Sequence, residues 1–264
     1  MSMRLNGKVR AALAITICIA LLCLIGYGCR SFGREKLSRQ ELEAINWIES
    51  LGGKIETGYT PWSGKTVGHA IDLSGTKVRD NELNQLSKLA PMIRALDLSQ
   101  TGIDGSGLPN LTKNCSIFKL SLHHTMVTTE SLCRFIDGVE IFCLDLSDTP
   151  ITDEAIKCLM TIRNDVGCLD LSSTQVTIAG LSRLKEIALL REVNLRNLPL
   201  KDDDIPVLMD LLRKEHDLWS LDLRGTEISE AAVAELRDKL RGLHKNTEII
   251  FGEEFKDAPK NLRS

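Results

Sequence analysis

From residue 71 to residue 228 the hydrophobic and polar positions repeat one pattern, LxLxxT with another apolar residue two positions on. It reads IDLSGTKV from 71, LDLSQTGI from 96, LSLHHTMV from 120, LDLSDTPI from 144, LDLSSTQV from 169, VNLRNLPL from 193 and LDLRGTEI from 221, at spacings of 25, 24, 24, 25, 24 and 28 residues. A period of this size marks a solenoid of stacked supersecondary units. Within each unit the LxL alternation predicts a short strand that buries both apolar residues and displays the one between them. Apolar pairs three residues apart follow at Leu83/Leu86, Leu108/Leu111, Leu132/Phe135, Ile156/Leu159, Leu181/Leu184, Ile205/Leu208 and Val233/Leu236, each pair on one helical face. Asp104, Thr128, Thr152, Thr177 and Ser229 stand where a side-chain oxygen can cap the amides of those helices.

The ends read as caps. Ser38-Arg39-Gln40-Glu41 is a capping box that opens a helix bearing Leu42, Ile45, Ile48 and Leu51, with Gly52-Gly53 as its stop. IIF at 249–251 reads as a last strand. The chain thus divides into a basic stretch (1–10), an apolar segment (11–29), a linker (30–40), a capping helix and connector (41–69), about seven repeats (70–255) and a polar tail (256–264).

These repeats resemble the leucine-rich repeat family, in particular small bacterial, membrane-tethered members with ribonuclease-inhibitor-like or cysteine-containing-type units. The resemblance implies an α/β horseshoe with a parallel concave sheet and convex helices. It departs from the family where Thr76, Thr101, Thr125, Thr149, Thr174 and Thr226 replace the usual Asn or Cys, and where Leu198 removes even the hydroxyl. A threonine ladder on turn backbone groups is the expected substitute.

The displayed column then runs Asp72, Asp97, Ser121, Asp145, Asp170, Asn194 and Asp222. It suits either a solvated ridge or a stripe for a basic partner; calcium would need more oxygens, converging from flexible loops. Beside it run Ser74, Ser99, His123, Ser147, Ser172, Arg196 and Arg224. His123 lies near serines and near Asp97 and Asp145, the parts of a hydrolytic triad without an evident oxyanion pocket. Arg196, Trp219, Asp222 and Arg224 set the C-terminal third apart, since Arg and Trp often anchor interfaces; burial of Trp219 under the last helix is the other reading. Asp202-Asp203-Asp204 suits a helix start.

The N-terminus brings in the membrane. Arg4, Lys8 and Arg10 precede an uncharged run from Ala11 to Gly28, which fits an uncleaved anchor, a cleaved signal or lipid attachment at Cys29. Export of the repeat domain from the cytoplasm is expected. Residues 1–40 hold seven Lys/Arg and one acidic residue, leaving the rest of the chain at −9 against −3 overall. An acidic domain does not suit nucleic acid. Five of the eight cysteines, 115, 133, 143, 158 and 168, lie outside the apolar run, show no CxxC pair and predict neither a disulfide scaffold nor a zinc site. Cys143 and Cys168 should be neighbouring free thiols, with a redox-sensitive pair as the alternative. Without phosphate loops, HExxH helices or nucleophile elbows, the expectation is a non-catalytic protein that needs no cofactor or metal and binds a protein partner, a basic one in the sharper form. Envelope glycan recognition is the alternative and a hydrolase a distant third.

Overall fold

Strand follows strand in the order of the chain. A computed structural model describes residues 37–59, 66–90, 93–111, 116–137, 139–162, 166–187, 189–213, 218–242 and 247–252. The basic stretch, the apolar segment, the 256–264 tail and Cys18, Cys23, Cys29 and Cys115 lie outside them. Among the described residues no helix is long and apolar enough to cross a membrane.

Strands β1 (Lys54–Tyr59), β2 (Thr66–Asp72), β3 (Ile93–Asp97), β4 (Ser116–Ser121), β5 (Glu140–Asp145), β6 (Cys168–Asp170), β7 (Glu192–Asn194), β8 (Ser220–Asp222) and β9 (Glu248–Ile250) form one sheet in sequence order. Every neighbouring pair from β2 to β9 is parallel. The connector contributes one strand the periodicity does not announce, since β1 pairs antiparallel with β2 and closes that end of the sheet. Repeat spacing holds the register, so Asp72, Asp97, Ser121, Asp145, Asp170, Asn194 and Asp222 are successive strand partners.

Both leucines of the motif enter the core, as at Leu144, Leu146, Leu169 and Leu171, all at most 2% exposed. All seven apolar pairs of the return segments are buried as well. These segments are not uniformly α-helical. Helices α2 (Thr129–Ile136), α3 (Asp153–Leu159), α4 (Ile178–Leu181), α5 (Ile205–Arg213) and α6 (Glu230–Gly242) serve the later repeats, whereas Asp80–Lys88 and Leu108–Asn110 are tighter 3-10 turns. A short return with Pro109 at its start has no room for a full α-turn but still delivers its two apolar residues.

Helix α1 (Arg39–Ser50) opens with the expected box: Glu41 N–H donates to Ser38 Oγ at 3.2 Å and Ser38 N–H to Glu41 Oε2 at 2.6 Å. Ala44 and Ile48 are buried and Ile45 and Leu51 pack against the core, as expected of three of the four predicted residues, whereas Leu42 is exposed. Gly52, at φ +82°, ends the helix in the left-handed region that glycine favours.

The threonines behave differently from a ladder. Each hydroxyl donates within its own repeat to the carbonyl three residues back, from Thr76 to Leu73 and from Thr174 to Leu171 at 2.7 Å. Stacking rests instead on backbone bonds between repeats, such as Leu146 N–H to Asp170 O and Asp148 N–H to Ser172 O. The donors of the second kind, Gly75, Gln100, His124, Asp148, Ser173 and Asn197, all have φ between +52° and +65°.

A second set of clamps joins the starts of the return segments. Asp80 accepts from Asp104 N–H and Gly107 N–H, both at 2.9 Å. Asp153 accepts from Thr177 N–H and Oγ1–H at 2.7 Å, and Asp202 from Ser229 N–H and Oγ–H at 2.7 and 2.8 Å. The charge run at 202–204 therefore does more than face a helix dipole. Thr152, expected as a cap, makes no such bond; its N–H donates to Thr129 Oγ1.

Candidate functional site

At the end of each strand, the displayed acid turns its carboxylate back along its own chain. Oδ1 of Asp97 accepts from Ser99 N–H at 2.9 Å and from Ser99 Oγ–H at 2.5 Å. The same pair of bonds recurs at Asp72/Ser74, Asp145/Ser147 and Asp170/Ser172. Asn194 and Asp222 keep the backbone half of it, accepting from Arg196 and Arg224 N–H at 3.0 Å. The recurring DLS is thus an Asx turn that ends the strand. The column is neither a bare solvated ridge nor a cage of free oxygens.

The second carboxylate oxygens differ from repeat to repeat. Asp145 Oδ2 accepts from Ser121 Oγ–H at 3.2 Å, and Asp170 Oδ2 from Asn194 Nδ2–H at 2.7 Å. Asp145 and Asp170 are strand partners, as expected. Burial pushes the Asp170 carboxyl above the ordinary carboxylate range and the Asp145 charge adds to it, against the hydrogen bonds from Ser172 and Asn194 that pull it down. Burial also raises Glu192, which sits beside Cys168 on β7. Carboxylates are therefore concentrated in the middle of this face of the sheet, with Lys119, the strand partner of Cys143, as a nearby cation.

His123 meets part of its expected company. Its Nδ1 lies 2.8 Å from Ser147 Oγ, and Ser147 Oγ–H donates to Asp145 Oδ1 at 2.6 Å. The serine proton is committed to the carboxylate, so the imidazole can only donate to the serine oxygen. A nucleophilic serine requires the opposite order, with the imidazole taking its proton.

The C-terminal residues separate into two places. Arg224 folds onto Asp222, its Nε 3.0 Å from both carboxylate oxygens, so these two satisfy each other. Arg196 stands exposed. Trp219 is neither in their column nor beneath the last helix: it is 40% exposed at the start of β8, with the Arg191 guanidinium 4.6 Å from its ring centroid.

That position belongs to a row the sequence reading did not single out. Two residues ahead of the first motif leucine stand Arg94, Phe118, Phe142, Gly167, Arg191 and Trp219. Phe118 and Phe142 stack with centroids 5.2 Å apart and planes 17° apart. Gly167 leaves space for the Phe142 ring, because a Cβ there would lie 2.4 Å from it. Leu189 closes a shallow cleft of about 310 Å³ with the two rings. Phe118 and Leu189 are 54% and 46% exposed. The signal was available in the repeat alignment, two columns outside the motif.

The cysteines correct one expectation and meet another. Cys133 on α2 and Cys158 on α3 form a disulfide, with Cα atoms 5.3 Å apart. Their separation of 25 residues is one more than the 24 between the motifs of their two repeats, and the packing of successive helices brings them together. Cys143 and Cys168 are free, half-buried strand partners. Contact between them lowers the Cys143 thiol and raises that of Cys168. No group of three or more potential metal ligands occurs among the described residues.

A Leucine Rich repeat family model matches residues 143–160, the segment that contains the end of β5, its Asx turn and α3. The match supports a leucine-rich repeat family for this solenoid. No curated protein matches the chain.

Proposed function

We propose that the protein is a non-catalytic, membrane-tethered interaction module of the small bacterial leucine-rich repeat type, which seats a basic segment of a protein partner on its concave face. The observation that carries this reading is the trio Asp145, Asp170 and Glu192 on three successive strands, two of them raised by burial. An arginine or lysine laid across them sets positive charge against three carboxylates, and desolvated charge pairs of this kind contribute more than exposed ones. His123 and Arg196 border the trio and set what else the partner must present.

Two features support tethering with the repeats outside the cytoplasm. The apolar run from Ala11 to Gly28 follows three basic residues. The Cys133–Cys158 disulfide suits an oxidising compartment.

Arginine-rich peptides are the direct probe. Titrated into the full chain, they should bind with a salt-dependent affinity that Asp145→Asn combined with Asp170→Asn weakens about tenfold or more, as losing a close interfacial charge pair does. Equal binding by wild type and double variant removes the concave acids from the function. Arg196→Ala is the control, because it deletes a positive charge and should leave binding equal or tighter.

A further inference from the structure

The exposed apolar side chains Phe118, Leu189 and Trp219 and the half-buried Phe142 share one edge of the solenoid, the edge at which the parallel strands begin. The same edge receives the chain. The far end of α1 lies at the opposite edge, where a Cβ on Gly53 would meet Leu73 and the Asp72 carbonyl and where Lys54 pairs with Asp72. Its N-terminal half lies at the strand starts: Glu43 pairs with Lys88, the last residue of the return leading to β3, at 3.4 Å, and Glu41 acts electrostatically on His69, the β2 partner of Ile93 at the start of β3.

Only residues 29–37 separate the end of the apolar run at Gly28 from the α1 cap at Ser38. Fully extended, nine residues reach about 30 Å. Strands about 4.8 Å apart put Phe118 two strands and Trp219 six strands from β2, distances that such a tether spans.

We infer that the strand-start edge rests on the bilayer surface, with Phe118, Phe142, Leu189 and Trp219 among the lipid headgroups. The inference depends on the tethered reading above and adds an orientation to it. Tryptophan and phenylalanine with a neighbouring arginine suit the interfacial zone, where rings lie against acyl chains and cationic tips stay in water. Charge along the edge is mixed, with Lys88 paired to Glu43, Arg191 on Trp219, and Arg94, Asp137 and Glu140 between them. A mixed edge fits a zwitterionic surface, whereas the recurring carboxylates Asp72, Asp97, Asp145, Asp170 and Asp222 stand at the strand ends. Resting on this edge leaves the concave face open sideways to a partner.

The test uses the full chain in phosphatidylcholine vesicles. Trp47→Phe with Trp62→Phe leaves Trp219 as the one tryptophan of the three in the chain. Lipids brominated near the headgroup should quench its emission. Adding Phe118→Asp and Phe142→Asp should relieve the quenching while the protein still floats with the vesicles. A floating chain whose Trp219 ignores brominated lipid and responds only to iodide in the water overturns the orientation and leaves the edge to a protein. A chain that does not float overturns the tether, and the orientation with it.

Discussion

The two edges of the sheet are built from the same repeats and do opposite things with their side chains. At the strand-end edge nearly every displayed polar group is engaged: Asp72, Asp97, Asp145 and Asp170 bind the serines two residues on, and Asp222 holds Arg224. At the strand-start edge Phe118, Leu189 and Trp219 are left 40–54% exposed. Polar residues recurring in a repeat tend to be consumed by the repeat, because each unit must satisfy its own turn amides. Residues that break the recurrence, as the rings and Glu192 do, are the ones free to meet something else.

The comparison stands on the core that both edges share. Leu171→Asp should cost at least about 4 kcal/mol, since a charge would enter a layer only one repeat thick with no partner. Leu171 is 0% exposed, and loss of the cooperative transition in circular dichroism melts is the expected outcome. A folded variant with a near-normal melt would mean that the strand faces are assigned one residue out of step.

Asp153→Ala tests the clamps between return segments. It leaves the Thr177 N–H and hydroxyl without their acceptor and should cost about 1–2 kcal/mol for the two bonds. Asp203→Ala, a neighbour of the similar clamp at Asp202, serves as the exposed control and should change little. Denaturant midpoints measured on both would break the comparison if the two came out alike.

The fold was legible because periodicity constrains it. Seven motif copies fix strand, turn and return, and the leucine spacing fixes which faces meet. Side-chain hydrogen bonding was less legible, because DLS as a string does not reveal that the carboxylate bends back to its own turn instead of facing outward. Trp219 was misplaced for a related reason: it lies outside the LxL pattern, so strand alternation assigns it no face. β1 escaped because a lone antiparallel strand has no copy in the chain to compare with. The disulfide escaped because Cys133 and Cys158 sit at helix positions one residue out of register, and pairing them requires the helix packing to be known.

Acidification should act on the cap before it acts on the concave acids. His69 is fully buried, its Nδ1 3.0 Å from Thr57 Oγ1 and its Nε2 without a hydrogen-bond partner. Burial lowers its pKa, and the nearby Glu41 opposes that only in part. The unfolded chain therefore binds a proton that the folded cap refuses. Its contribution to stability is complete above the ordinary imidazole value of 6.5 and is lost as pH falls from there through the folded value. The melting temperature should drop over that range in the wild type and less in His69→Gln. A melt that is flat below pH 6.5 would show that the β1–β2 cap tolerates the charge.

Asp170→Asn sharpens the division within the concave face. The amide oxygen can still accept from Ser172 and the repulsion with Asp145 disappears, which returns about 0.2–1 kcal/mol at pH 7, the usual scale for like charges on facing strand positions, against the bond from Asn194 Nδ2–H that the new amide nitrogen is unable to accept. The raised Asp170 pKa gives the sign: the favourable protonated form is present below the ordinary value of 3.8 and is lost as pH rises through the folded value. The advantage of Asn should thus fade at low pH. Asp170→Ala, which also removes the acceptor for Ser172 N–H, Ser172 Oγ–H and Asn194 Nδ2–H, should not share the gain.

The smallest expected effect is at the strand-start edge. Phe118 is 54% exposed and its main described contact is the stack with Phe142, so Phe118→Ser should change stability by no more than about 0.5 kcal/mol. Gly167→Ala should be felt slightly more, because its methyl must push the Phe142 ring off the seat it occupies, and a ring at a surface can give way. If chemical denaturation instead showed Phe118→Ser to cost as much as Asp153→Ala, the row would be holding the solenoid together as the clamps do. A near-zero cost means that folding does not require large apolar rings at this surface, and their presence there then has to be explained by what they touch outside the chain.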